Sequence, residues 1–300
     1  MKALVAGFVT IDTIQLPVRT VTSVGGPPSY AGLICSRLGV DTFALTKVGN
    51  DFPEDQFVWL ARNGISLRPS DRSLSAKTTR FRIEESQAGR KLTLINRCDD
   101  IALEQLPDSQ FNASLVSPVA NEVSPALLAE IARRSDFTFL DPQGLVRTFD
   151  ANGVVALGEL RNAGVLSKVD AMKMDEGEAK AVTGMSRPED ALRKLAALGL
   201  RKAVVTRGAQ PAYVLDGARI FTVPVPAVQV VDSTGAGDIL GGTIVAWYLK
   251  TRDFLWSASF GVAASSLSLH MIALAKVDLP ITVDEQARRL YSLATPVASV

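Results

Sequence analysis

Short apolar runs alternate with amphipathic stretches along almost the whole 300-residue chain. Runs near residues 3–9, 43–48, 137–140, 171–174 and 203–206 are short and mainly apolar, as strands buried on both faces are. Between them, 29–38, 54–63, 126–134, 155–163 and 188–198 show helical spacing, and 239–249 and 257–269 continue the pattern. Strands separated by helical crossovers predict a mostly parallel sheet covered on both faces, the three-layer α/β/α arrangement. Segment 224–231 reads as extended.

Two segments break this rhythm. Residues 78–84 and 91–97 alternate at period two around Ser86-Gln87-Ala88-Gly89, which predicts an antiparallel hairpin with one polar face. With residues 10–23 it would build a small β-sheet beside the α/β body, a lid of about 10–23 and 77–98. Without a linker, repeat or low-complexity tract, residues 1–300 read as one domain.

Composition closes off several function classes. A net charge of +1 gives no general pull toward nucleic acid or an anionic membrane, so any anion must be held locally. No apolar run reaches the ~20 residues of a membrane span, and the N-terminal run is too short for a secretion signal. Cys35 and Cys98 form neither a disulfide framework nor a zinc pattern, which suits a reducing cytoplasm. His270 is the only histidine, so a histidine triad or histidine metal cluster is impossible, and a capping or surface role is expected of it.

The chemistry concentrates in VVDSTGAGDILGG, residues 230–242. Gly235-Ala236-Gly237 stands where an extended segment turns into a helix, so free backbone amides and the helix dipole favour an anion there. Asp238 in the first turn could simply complement the dipole, and the glycines could simply turn the chain. Two acids, Asp232 and Asp238, beside Thr234 and an anion hole go beyond what a cap needs. They suit a base that deprotonates a hydroxyl next to a phosphate cradle. The pattern is neither a P-loop nor an N-terminal dinucleotide fingerprint, which argues against a dehydrogenase.

Asp232-Ser233-Thr234-Gly235-Ala236-Gly237-Asp238 resembles the C-terminal signature D-T-x-G-A-G-D of the ribokinase-like, PfkB-type carbohydrate kinases. Gly25-Gly26 before a helix resembles that family's first glycine signature. Lys173-Met174-Asp175-Glu176-Gly177-Glu178 resembles its N-x-x-E motif, and Val205-Thr206-Arg207-Gly208 its nucleotide loop. The resemblance spans nearly the whole chain in the family's order. It implies a kinase using ATP and Mg²⁺, with Asp238 as general base and Gly235, Ala236 and Gly237 as the anion hole. Asp12, Gly25, Gly26 and Ser29 would meet the substrate, Asp175, Thr206, Gly208 and Thr234 with Gly235 and Gly237 the nucleotide, and Glu178 the metal and its waters.

Three positions depart from the family pattern: Ser29 stands near the usual sugar-binding Asn, Asp175 replaces the Asn of N-x-x-E, and Gly208-Ala209-Gln210-Pro211 lacks a second glycine. They leave a catalytically weak nucleotide-binding regulator as an alternative. Asp141-Pro142-Gln143-Gly144 with Arg147 ends a strand, where open α/β sheets bind ligands. On the residues alone a Pro-Gly turn explains it equally well. As a family feature it resembles the inositol kinase branch, with Gln143 and Arg147 toward a polyol or the ATP phosphates; hexose, ribose and nucleoside acceptors stay open. Arg82, Lys91 and Arg97 on the hairpin could guard a sheet edge, and Arg97 is the one assigned to the substrate. The lid could also pair with its copy in a homodimer.

Overall fold

The computed structural model describes every residue except Gln87 and Ala88, so the middle of the predicted 86–89 turn lies outside the described residues. The N-terminal strands are β1 (Lys2–Ala6), β2 (Thr10–Leu16), β3 (Arg19–Gly25), β4 (Asp41–Leu45), β5 (Arg80–Ser86) and β6 (Gly89–Asn96). Then come β7 (Ala113–Val116), β8 (Thr138–Leu140), β9 (Arg147–Phe149), β10 (Val155–Leu157) and β11 (Ala171–Asp175). The last four are β12 (Lys202–Arg207), β13 (Gln210–Asp216), β14 (Arg219–Val223) and β15 (Thr295–Ser299).

The large sheet has the order β15-β14-β13-β12-β11-β8-β7-β1-β4. From β4 to β12 all neighbours run parallel, and β13, β14 and β15 add an antiparallel edge. Period two splits the core. Ala3 and Val5 of β1 join Leu115, Phe139 and Val204 on one face, packed with helices Ala236–Thr251 and Phe254–Ser268. Leu4 and Ala6 join Val116, Leu140 and Met172 on the other, packed with helices Pro125–Arg133 and Pro188–Ala197. This is the predicted three-layer α/β arrangement. Helix Ala236–Thr251, buried on nearly all sides, carries no polar stripe because it is covered by both the sheet and its neighbour.

The second, smaller sheet is β3-β2-β5-β6, with the β5/β6 hairpin the sequence indicates and β2 running parallel to β5.

One sequence expectation fails on local grounds. The helix expected over 155–163 is instead strand β10, paired antiparallel with β9, followed by a 3-10 turn at Ala163–Lys168. Gly153 at φ +77° and the close approach of Gly158 to Thr148 break helical continuity on both sides. The extended segment 224–230 joins no ladder, because Pro224 and Pro226 offer no amide donors. β13, β14 and β15 went unread, since turn residues and prolines at their ends mask short edge strands.

Candidate active site

A polar cleft of about 350 Å³ opens at the carboxyl ends of the parallel strands, between them, the small sheet and the start of helix Ala236–Thr251. Open α/β sheets place ligands at this edge. Two close contacts bring the glycine signatures together there. A Cβ on Gly242 would meet the Ala31 carbonyl at 2.6 Å, and one on Gly235 would meet the Tyr30 ring at 2.7 Å. Only glycines let the helix lie this near the wide turn Pro28–Gly32. Gly235 also has φ +76°, a conformation other residues resist.

Asp238 lies half-buried at the cleft wall and accepts a hydrogen bond from Gln143 Nε2 at 3.3 Å. Gln143 also donates to Asp141 Oδ2 (3.0 Å) and Ser117 Oγ (3.2 Å), while its Oε1 accepts from Arg147 Nη2 at 2.6 Å. Gln143 and Arg147 both line the cleft. Beneath them Lys173 Nζ pairs with Asp141 Oδ2 at 2.8 Å, both side chains nearly out of water. Loss of water and the neighbouring Asp141 push the Asp238 carboxyl up to about 7, against the pull of Lys173 and Arg147. Burial also raises Glu178 to about 7, with Lys173 opposing. On Lys173 burial is outweighed by Asp141, Glu178 and Asp238, which hold the ammonium above the usual lysine range.

The opposite wall is rich in buried polar atoms without a protein partner. Among the described residues they include Thr10 Oγ1, Asp12 Oδ1, Tyr30 OH and Thr234 Oγ1 on the cleft lining, and Ser29 Oγ behind it. An unpaired buried polar atom costs roughly 1–3 kcal/mol, so a cluster of them points to a hydroxyl-rich ligand. Burial lifts Asp12 to about 6. Gly26 lines the cleft at φ +83°, whereas Gly25 sits behind Asp12, where a Cβ would lie 2.0 Å from Oδ2. Gly25 thus makes room for Asp12 and does not face the cleft.

A second cavity, of about 450 Å³, adjoins the first and shares Thr206, Ser233 and Gly237 with it. Its lining is mainly apolar: Val225, Pro226, Val228, Leu240, Val262 and Leu269. Gly208, at φ +60°, stands here with Thr206.

Asp175 and Glu178 flank the junction of β11 with helix Glu176–Thr183. Their side chains and amides bond reciprocally (2.7 and 2.8 Å), a capping box, and both line the polar cleft. Among the described residues no group of three His, Cys, Asp or Glu is placed to hold a metal by itself. That donor set fits Mg²⁺, which typically uses one or two carboxylates plus phosphates and water.

Gly25 and Ser29 stand behind the cleft lining, and two further assignments change. Arg97 lies outside the cleft: it donates to the carbonyls of Ala120 and Cys98 and pairs with Asp100. The two-residue period of β6 puts Arg90 and Leu92 toward the cleft and Lys91 on the other face, so Arg90 is the hairpin's cleft-lining base. Ala236 lines the apolar cavity instead, and its amide turns to the Ser233 carbonyl at 3.3 Å, which leaves Gly235 and Gly237 on the polar side. Exposed His270 lines neither cavity. Sequence reasoning gave no role to Lys173, Asp141, Tyr30 or Arg90. The first two lie inside motifs that were noticed; the other two give no local signal.

The geometry defines an α/β protein with a polar cleft joined to an apolar cavity at a glycine-rich helix start. The profile of the pfkB family carbohydrate kinases matches residues 4–275, and the chain belongs to that family. It is accordingly a phosphotransferase with an alcohol group as acceptor. It is 33% identical over 291 residues to inositol 3-kinase of Zea mays, covering 89% of this chain and 72% of that protein. With cytidine kinase of Thermococcus kodakarensis it shares 27% over 263 residues (84% and 90% covered). In fold it is similar to a pyrophosphate-dependent ribokinase-family kinase solved with a pyrophosphate analog and myo-inositol. The TM-score is 0.80 at 21% identity, over 92% of this chain and 98% of that one. No helix among the described residues is long and apolar enough to cross a membrane.

Proposed function

We propose that this chain transfers the γ-phosphoryl group of ATP to a hydroxyl of a small polyol, with myo-inositol as the acceptor. The observation that carries the reading is the pairing of two unlike cavities at Gly237, one lined by unpartnered hydroxyls and acids, the other apolar. The apolar cavity suits a nucleobase, which favours a nucleotide over pyrophosphate as donor. Similarity to inositol 3-kinase favours the polyol.

In this reading the acceptor hydroxyl lies against Asp238, whose carboxylate takes its proton as the oxygen attacks the γ-phosphorus and ADP leaves. The Gly235 and Gly237 amides and the Lys173 ammonium face the charge that gathers on the transferring oxygens. Asp12, Tyr30 and Thr10 hold the remaining hydroxyls, Ser29 supports that wall, and Arg147 and Gln143 fix Asp238 and the acceptor. Mg²⁺, when bound, neutralises donor phosphate charge, and Glu178 with Asp175 would hold it or its waters. The small sheet is the lid: the Ser233 amide donates to Glu85 Oε1 at 3.0 Å, tying it to the glycine loop. Closure excludes water and limits ATP hydrolysis. Two buried free thiols suit a reducing cytoplasm. A homodimer through the small sheet stays part of this reading, supported by the exposed Val18 of the β2–β3 turn and Ile95 of β6, and sedimentation of the purified chain tests it.

The test is a matrix of two donors, ATP and pyrophosphate, against inositol, hexoses, ribose and nucleosides. Product with ATP and myo-inositol is expected. Turnover of a nucleoside without inositol overturns the acceptor, and turnover with pyrophosphate alone overturns the donor. ATP binding without phosphate ester from any acceptor favours the regulatory alternative.

A pH profile follows from the site. Asp238 accepts a proton only when ionised, and its carboxyl and Glu178 both lie near 7. Below that value kcat/KM is expected to fall about tenfold per pH unit. A profile flat into the mildly acidic range would remove Asp238 as the base.

A further inference from the structure

A buried ammonium holds the glycine loop from behind. Lys276 belongs to the 3-10 turn Ala273–Val277, and its side chain is fully out of water. Its Nζ donates to the Thr234 carbonyl at 2.9 Å and to the Asp232 carbonyl, and pairs with Asp232 Oδ2 at 3.2 Å. Asp232 in turn accepts the Ala273 amide (3.0 Å) and the Thr234 amide (2.8 Å). One cation thus gathers three oxygens of a single loop just before Gly235.

Burying a lysine is expensive, and an apolar side chain would fill the same space at lower cost. What the ammonium adds is positive charge on the Thr234 carbonyl. That carbonyl shares its peptide unit with the Gly235 amide, so drawing electron density toward oxygen makes the N–H a stronger donor.

We propose that Lys276 is a built-in monovalent cation for the phosphate-binding loop, one that polarises the Thr234–Gly235 peptide and makes dissolved monovalent cations unnecessary. It is a positioning residue, acting through the peptide and touching no substrate, and the proposal rests on the kinase reading above. Burial draws its pKa down to about 8 with Asp232 opposing, so it keeps its proton at neutral pH.

Wild-type protein assayed in tetramethylammonium salts is expected to show the same kcat after KCl is added; clear stimulation by KCl overturns the proposal. Lys276→Met is expected to lower kcat about 10- to 100-fold with a smaller change in acceptor KM. KCl should restore part of the kcat of Lys276→Ala, whose short side chain leaves room for the ion among the freed oxygens. Melting curves give a readout without turnover: KCl should raise the Tm of Lys276→Ala and leave wild type unchanged. Wild-type kcat in Lys276→Met, or an impaired Lys276→Ala that KCl neither reactivates nor stabilises, overturns the role. Should these variants fail to fold, the wild-type response to KCl decides. Absence of product from every acceptor would count against the kinase reading, while the melting comparison still reports on Lys276.

Discussion

Replacing Asp238 with asparagine is expected to lower kcat by about 10²- to 10⁴-fold while leaving ATP affinity near its normal value. The amide keeps the size of the carboxylate and can still meet Gln143, which lies 3.3 Å from Oδ1 in the parent. What it loses is the ability to take a proton. In the proposed reading nucleotide binding depends on the glycine loop and the apolar cavity, which Asp238→Asn leaves in place. Isothermal titration with ATP beside steady-state kinetics separates the two effects. Wild-type kcat in the variant would show that the acceptor proton leaves by another route. Lost ATP binding would show that Asp238 holds the loop.

The second large effect is expected for Lys173→Met. The ammonium pairs with Asp141 at 2.8 Å and draws on Glu178 and Asp238, all within the water-poor base of the cleft. Removing one partner of a buried pair typically costs about 3–5 kcal/mol, because the remaining charge stays buried without compensation. Chemical denaturation measures that loss. A catalytic loss of about 100-fold is expected as well, since a cation leaves the transferring phosphate. The pH profile distinguishes this role from simple destabilisation. The Asp238 pKa is already raised, and Lys173 is one of the groups that hold it down. Without it the carboxyl rises further, protonates at higher pH, and the acid limb of kcat/KM moves upward. A folded Lys173→Met protein with an unmoved acid limb would show that Lys173 does not tune the base.

The three-layer fold was legible because short apolar runs alternate with longer amphipathic stretches, although helical spacing over 155–163 hid strand β10, and the pfkB family was legible from the resemblance of its motifs. The spacing of Asp232, Gly235, Gly237 and Asp238 places acids and free amides at one helix start. The same local logic misplaced Ala236, whose amide is spent on Ser233, and Arg97, which lies beyond the end of β6. Whether a side chain faces a cleft depends on strand register and on which carbonyls lie within reach, and neither is written in a motif.

Residues 230–242 alone placed two acids and free amides at one helix start, since glycine freedom, helix dipole and a first-turn acid are properties of neighbours in sequence, and their resemblance to the PfkB-type signature implied phosphoryl transfer to a hydroxyl. Folding decided the rest. Lys173 meets Asp141 across 32 residues of chain and Lys276 meets Asp232 across 44, as the numbering gives directly. Tyr30 and Gly235 come together only because Gly242 lets two elements touch. Charges at such separations act on one another only after the sheet has brought them within a few ångströms and excluded water. That is why the cation beneath the base and the cation behind its loop emerge from tertiary structure alone.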